Sequence, residues 1–201
     1  MLYHVLKFAA WVMCRCWLFF KKKGQENIPK DGPAILVCNH TAIADVGCMM
    51  LMTKRKVYFM CKHELFENKI TGWALGTIGS FPTDRNEGDV TSLRKALRVL
   101  KRGDLLCIYP EGSRNYQRAT TPLLPLHGGV ALLALLTGAP IIPMWINGNF
   151  SPAKPTRMIC GPAVDLSAYP MEKKPGQESI DGVTEEIRKA LMALSEKIDE
   201  V

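Results

Sequence analysis

The 201-residue chain lacks most of the signatures by which a short sequence declares its chemistry. It holds no Cys-x-x-Cys pair and no His-Glu-x-x-His or His-x-His ligand pair, so neither a zinc ribbon nor the common metalloprotease arrangement is indicated. Its seven cysteines are odd in number and irregularly spaced, which argues against a disulfide framework. Cys38, Cys61 and Cys107 sit inside apolar runs, where free cysteine behaves as a small hydrophobe, and a reducing compartment, the cytoplasm, is expected. No collagen period, heptad or repeat of roughly 20–50 residues is present. No apolar run reaches the roughly 20 residues that a spanning helix needs. Acidic residues fall short of basic ones, 19 against 26, for a net charge of +7. Such a surface prefers anionic partners: nucleic acid, acidic lipid headgroups or phosphorylated metabolites. The absence of RNP-like aromatics and of any nucleic-acid motif argues against the first. What remains, 47% apolar and 22% charged, is ordinary globular composition at a length suited to one domain.

The first residues depart from that plain composition. Phe8 to Cys14 is apolar, Arg15 interrupts, and Cys16 to Phe20 is apolar again before Lys21, Lys22 and Lys23. The lysines follow the apolar run and no Ala-x-Ala site comes after it, which is a poor signal peptide. Trp11, Trp17, Phe19 and Phe20 suit the headgroup boundary of a bilayer, while Lys7, Arg15 and the lysine triplet suit anionic lipid. The expectation is an amphipathic, interfacial membrane helix over residues 1–24 ahead of a domain over 25–201. The alternative is a helix packed on the domain's own core.

Short apolar runs then alternate with helical patterns. Strands are expected at residues 34–38, 57–61, 79–82, 105–109, 140–146 and 157–160, each rich in β-branched or aromatic residues. Pro140 and Pro143 restrict the fifth of these to a sheet edge or a strand start. Helices are expected at 43–54, 90–102, 129–136 and 180–198, the last with Val183, Ile187, Leu191, Leu194 and Ile198 on one stripe. Asp89 or Thr91 is expected to cap the second of these helices. The alternation implies a single α/β domain with a central mixed, largely parallel sheet flanked by helices.

Chemistry-bearing residues gather at the ends of those strands. The strand AILVC runs into Asn39-His40-Thr41-Ala42-Ile43-Ala44-Asp45. On one continuous helix His40 and Asp45 stand about 140° apart and cannot meet. They meet if His40 precedes the helix and Asp45 lies in its first turn, where the carboxylate fixes the imidazole tautomer and leaves the other nitrogen as a base. Tyr109-Pro110-Glu111-Gly112-Ser113-Arg114 follows another strand. Its arginine offers a bidentate fork to phosphate, its glycine close backbone approach and its serine a donor; it is equally good turn chemistry. Gly79-Ser80-Phe81-Pro82-Thr83-Asp84-Arg85 brings a second arginine, and Lys62 and Glu64 close the strand VYFMC. Several strand ends delivering a base, an acid, arginines and a lysine point to a site.

Through these blocks the chain resembles the glycerolipid acyltransferases. NHTAIAD has that family's His-x4-Asp form, GSFPTDR its second block, YPEGSR its Glu-Gly-Thr/Ser-Arg block and APIIPMWI its apolar fourth block, in the same order from about Ile28 to Asn147. Tyr109 stands where phenylalanine is usual and Ser113 where threonine is common. Within the family the likeness is greatest to the bacterial 1-acyl-sn-glycerol-3-phosphate (lysophosphatidic acid) acyltransferases, which make phosphatidic acid. The resemblance implies that His40 is the general base on the acceptor's sn-2 hydroxyl, which attacks the thioester of acyl-CoA or acyl-carrier protein, with Asp45 supporting the imidazolium. Arg85, Glu111, Gly112, Ser113 and Arg114 are then expected to hold the glycerol phosphate, Arg85 and Arg114 touching the phosphate itself. Glu111, an anion, orients the arginines or a glycerol hydroxyl, and Lys62 is a further phosphate ligand. No metal or cofactor is required beyond the acyl donor as co-substrate. The expected location is the cytoplasmic face of the cell membrane, monotopic or peripheral, with membrane lipid as partner.

Three other readings of the same residues stand beside this one. His40, Asp45 and His63 or His127 form a metal hydrolase site; Cys38, two residues before His40, is a thiol nucleophile; or the domain is a non-catalytic lipid-binding module. Acceptors other than lysophosphatidic acid, glycerol 3-phosphate among them, also remain open.

Overall fold

The computed structural model describes residues 2–16, 18–83, 90–151 and 153–201. Trp17, Asp84, Arg85 and Asp89 lie outside them, and of Arg15 only the backbone is described. Strands β1 (Lys21–Lys23), β2 (Ala34–Cys38), β3 (Val57–Lys62), β4 (Ser80–Thr83), β5 (Leu105–Ile108), β6 (Ile141–Ile146) and β7 (Arg157–Cys160) form one sheet in the order β1-β7-β6-β2-β5-β3-β4. Helices α1 (Leu2–Cys16), α2 (Ala44–Leu51), α3 (Lys69–Thr77), α4 (Val90–Lys101), α5 (Gly129–Thr137) and α6 (Gln177–Lys197) cover it. The chain is thus a single α/β domain with a mixed, mostly parallel sheet flanked by helices.

Strands β6, β2, β5, β3 and β4 run parallel, so their C-terminal ends share one edge; β7 is antiparallel to β6 and β1 parallel to β7. A strand covered on both faces needs apolar side chains on both, which is why AILVC carries no polar residue and is wholly buried. Ala34, Leu36 and Cys38 face one core with Leu105, Cys107, Ile142 and Met144. Ile35 and Val37 face the other with Leu106, Ile141 and Trp145. Residues of α1 and α2 fill the first core; those of α4, α5 and α6 fill the second, which holds all five members of the expected stripe, Val183, Ile187, Leu191 and Leu194 in α6 and Ile198 just past its end. The apolar α5 is therefore core, with Val130, Ala131, Leu133, Ala134 and Leu135 buried, and Gly138 ends it at φ 67°.

Three features depart from the sequence reading. The strand holding Pro143 is interior, not an edge. Pro143 faces Gly161 just beyond the β6–β7 ladder, accepts the Gly161 N–H at 2.9 Å, and so forfeits a single reciprocal bond at the ladder's end. Lys21–Lys23, read as a basic membrane flank, is a strand paired with Arg157–Ile159. Lys22 Nζ donates to Leu51 O at 2.6 Å, and Lys7 Nζ to Thr53 O, so two of the expected lipid-facing cations close the C-terminal end of α2. Helix α3, absent from the sequence reading, is capped by Asn68, whose side chain accepts from Ile70 and Thr71 N–H at 2.9 and 3.3 Å.

Helix α1 forms and has two apolar faces. Tyr3 and Cys14 are buried against the domain: the Tyr3 hydroxyl accepts Val57 N–H at 3.3 Å, and the Cys14 and Cys48 sulfurs lie 3.8 Å apart across α1 and α2. Val5, Phe8, Trp11 and Val12 point away and are exposed, with the Phe8 and Trp11 rings stacked at 5.6 Å.

Candidate active site

Strand β2 delivers Asn39 and His40 at the common C-terminal edge, and the chain turns there into α2. Asn39 holds the exit. Its Nδ2 donates to Ile146 O at 3.0 Å and its Oδ1 accepts Ile146 N–H at 2.8 Å, continuing the β2–β6 ladder through a buried side chain. Asp45, in the first turn of α2, folds back under the loop as the sequence required. Its Oδ2 lies 2.8 Å from His40 Nδ1 and accepts the N–H groups of Thr41 and Ala42 at 2.6 and 2.9 Å. Its Oδ1 accepts the Thr41 hydroxyl at 2.9 Å. Asp45 is completely buried, and four donors compensate the desolvation of its charge. With Nδ1–H donated to the carboxylate, the lone pair belongs to Nε2, which makes no hydrogen bond among the described residues.

The Tyr-Pro-Glu-Gly block leaves β5 beside this loop. The Tyr109 ring stacks on the His40 imidazole, centroids 4.1 Å apart and planes 19° off parallel. Glu111 is buried, 4% exposed, and its two oxygens go to backbone: Oε1 accepts His40 N–H at 2.8 Å and Oε2 accepts Leu124 N–H at 2.9 Å. Burial raises its carboxyl above the ordinary value, against the pull of those two amides. The expectation that Glu111 orients an arginine or a substrate hydroxyl thus meets a carboxylate already committed to two loops. Asn115 N–H closes the arrangement by donating to His40 O at 2.8 Å. Gly112 has φ 66°, a conformation that strains an L side chain, and a Cβ there would lie 2.9 Å from the His127 ring.

The expected phosphate ligands are less gathered. Ser113 and Arg114 are exposed, with the Arg114 guanidinium 5.6 Å over the Tyr116 ring. Lys62 ends β3 half-exposed and pairs with Glu64 at 3.7 Å. Arg85 lies outside the described residues. His63 sits in a short 3-10 turn after β3 and His127 against Gly112, and no group of three His, Cys, Asp or Glu side chains that could hold a metal occurs among the described residues. Cys38 points into the core, where burial pushes its thiol well above the ordinary value, the reverse of what a thiolate nucleophile needs. A cavity of about 310 Å³ lined by Leu135, Pro140, Leu166, Tyr169 and Met171 lies at the N-terminal end of β6, the opposite edge of the sheet from His40.

Comparison with known proteins bears on this geometry. A family model described as Acyltransferase matches residues 19–147. A Bacillus subtilis protein named 1-acyl-sn-glycerol-3-phosphate acyltransferase is 27% identical over 187 residues, 90% of each chain. A Streptococcus pneumoniae protein of the same name is 32% identical over 180 residues, 86% of this chain and 64% of the relative. Among solved structures, the 1-acyl-sn-glycerophosphate (LPA) acyltransferase PlsC from Thermotoga maritima superposes with a TM-score of 0.68 at 24% identity, covering 98% of this chain and 80% of the other, which shows a shared fold.

Proposed function

The chain belongs to the acyltransferase family, an assignment resting on the family match over most of its length, and from that premise we propose that it acylates the sn-2 hydroxyl of 1-acyl-glycerol 3-phosphate to give phosphatidic acid. The observation that carries the mechanism is the His40–Asp45 contact of 2.8 Å at the end of β2, with Nε2 left unengaged. In this reading His40 Nε2 takes the proton of the acceptor hydroxyl as its oxygen attacks the thioester carbonyl. The tetrahedral intermediate collapses with loss of the thiolate, and the imidazolium returns the proton to the sulfur. Asp45 holds the tautomer and balances the imidazolium charge. The Tyr109 face, stacked on the ring, adds an attraction for that cation. Glu111 acts as the clamp that fixes the His40 peptide, while Arg85, Arg114 and Lys62, with Gly112 and Ser113 of the turn, are the proposed binders of the acceptor phosphate.

The co-substrate is acyl-CoA or acyl-carrier protein, and the mechanism uses no metal or cofactor. Among the described residues, no helix is long and apolar enough to cross a membrane. The exposed face of α1, with Val5, Phe8, Trp11 and Val12, supports peripheral attachment to a lipid surface, proposed to be the cytoplasmic face of the cell membrane. The test is a donor-by-acceptor matrix with purified protein in detergent. Transfer from acyl-CoA or acyl-carrier protein to 1-acyl-glycerol 3-phosphate, exceeding transfer to choline-capped lysolipid or to glycerol 3-phosphate, supports the assignment. Preference for either of the other acceptors overturns it.

A further inference from the structure

The His40 loop is flanked by a cation that no motif announced. Arg118 lies in the segment after the Glu-Gly-Ser-Arg turn, and that segment is fastened to the loop at both ends: Asn115 N–H donates to His40 O, and Leu124 N–H to Glu111. Arg118 reaches across to the end of the neighbouring strand, where its Nη2 donates to Gly148 O at 3.0 Å. The approach is close. Gly148 has φ 67°, and a Cβ there would meet Thr41 Oγ1 at 2.9 Å and Arg118 Cζ at 3.1 Å. The guanidinium and the Thr41 side chain therefore crowd one point, and Thr41 is the residue after His40, its hydroxyl bonded to Asp45.

No carboxylate pairs with Arg118 among the described residues. Asp45, the nearest anion along the chain of contacts, has its oxygens committed to His40, Thr41 and Ala42. A guanidinium carries five N–H donors in a fixed fork, and a carbonyl takes one of them here. The residue is exposed, so the rest of the fork is open to a ligand at the same edge of the sheet as the base. Arg114, by contrast, is drawn over Tyr116.

We propose that Arg118 binds a phosphate group of a substrate seated at His40. The inference rests on the acyltransferase reading, which places two phosphates near this loop: the headgroup of the lysolipid acceptor, and the phosphates of the coenzyme A or carrier-protein arm of the donor. A fork anchored at one corner by Gly148 O matches phosphate oxygens bidentately in a way an ammonium does not. The alternative role is a brace that only ties the segment around Arg118 to the loop after β6.

Binding without turnover separates these. The full chain and its Arg118→Gln and Arg118→Lys variants are titrated with glycerol 3-phosphate and with coenzyme A by calorimetry, alongside thermal unfolding. Arg118→Gln is expected to weaken one of the two by roughly tenfold to a hundredfold, the worth of a charged hydrogen bond, with Arg118→Lys intermediate. Loss confined to glycerol 3-phosphate assigns the acceptor headgroup, and loss confined to coenzyme A assigns the donor. Affinities within about twofold of the original for both ligands, or an equal loss for both that tracks a lowered Tm, overturn the proposal in favour of the brace. A chain that binds either phosphate through Arg118 yet transfers no acyl group defeats the functional reading and leaves this one standing.

Discussion

His40 is held by its backbone, its Nδ1 and its ring face, with Nε2 alone left unengaged among the described residues. Its N–H goes to Glu111, its carbonyl to Asn115, its Nδ1 to Asp45 and its ring face to Tyr109. The stacking ring carries a cost: the Tyr109 hydroxyl is buried beside the Cys107 thiol and, among the described residues, meets no hydrogen-bonding partner at ordinary distance. The pairing of His40 with Asp45 was legible because a strand end followed by a helix start brings residues five apart together. The role of Glu111 was not, because its partners are backbone amides, which leave no trace in residue spacing. Replacing it tests the clamp. Glu111→Gln puts an NH2 group against one of the two amides, and stability should fall by about 1–3 kcal/mol, the cost of an unsatisfied buried donor. The pH dependence should change as well. A carboxyl raised in the folded state favours folding below its ordinary value of 4.5, and that contribution is lost as pH rises through the higher folded value. The unfolding free energy of Glu111→Gln, measured from pH 4 upward, is therefore expected to decline less with pH than that of the unmodified chain; equal stability and equal slope would remove the clamp.

At the scale of elements, the interior strands were the easiest to read. AILVC, LLCI and VYFMC are apolar on both faces because helices cover both faces, and burial leaves little freedom in their assignment. Short or polar elements were not legible. Lys21–Lys23 is a strand by virtue of its partner β7, since three exposed lysines have no intrinsic reason to extend. Helix α3, with no buried residue, offers no stripe to count. The join between β2 and β6 rests on one side chain. Asn39→Ala leaves both polar groups of Ile146 without the partners they now have, and Asn39→Asp keeps the acceptor but loses the donor. Each orphaned group costs about 1–3 kcal/mol, and the aspartate adds a buried charge facing the Ile146 carbonyl, so both variants should unfold below the original. An Asn39→Ala protein as stable as the original would show that the β2–β6 ladder does not need the bridge.

For the whole molecule, the amino-terminal helix packs one face on the domain's own core, and the exposed face of Val5, Phe8, Trp11 and Val12 is the one proposed to meet lipid. Removing residues 1–23 therefore takes Tyr3, Cys14 and Leu18 out of that core together with strand β1, and tests stability more than lipid affinity. The outer face is the proper target. Phe8 and Trp11 are 63% and 48% exposed, and Phe8→Ser with Trp11→Ser should leave Tm unchanged while weakening flotation with anionic vesicles by at least roughly tenfold, given about 1.5–3 kcal/mol for each large apolar side chain taken fully from water. Undiminished flotation would place the lipid contact on another surface. The fold brings five parallel strand ends to one edge, and the account stands or falls on the base held there. The direct measurement is acyl transfer to 1-acyl-glycerol 3-phosphate by His40→Ala protein whose thermal unfolding matches the original. The account predicts a loss of at least about a hundredfold in kcat, as for removal of a general base; a folded His40→Ala chain that keeps most of its turnover would contradict it.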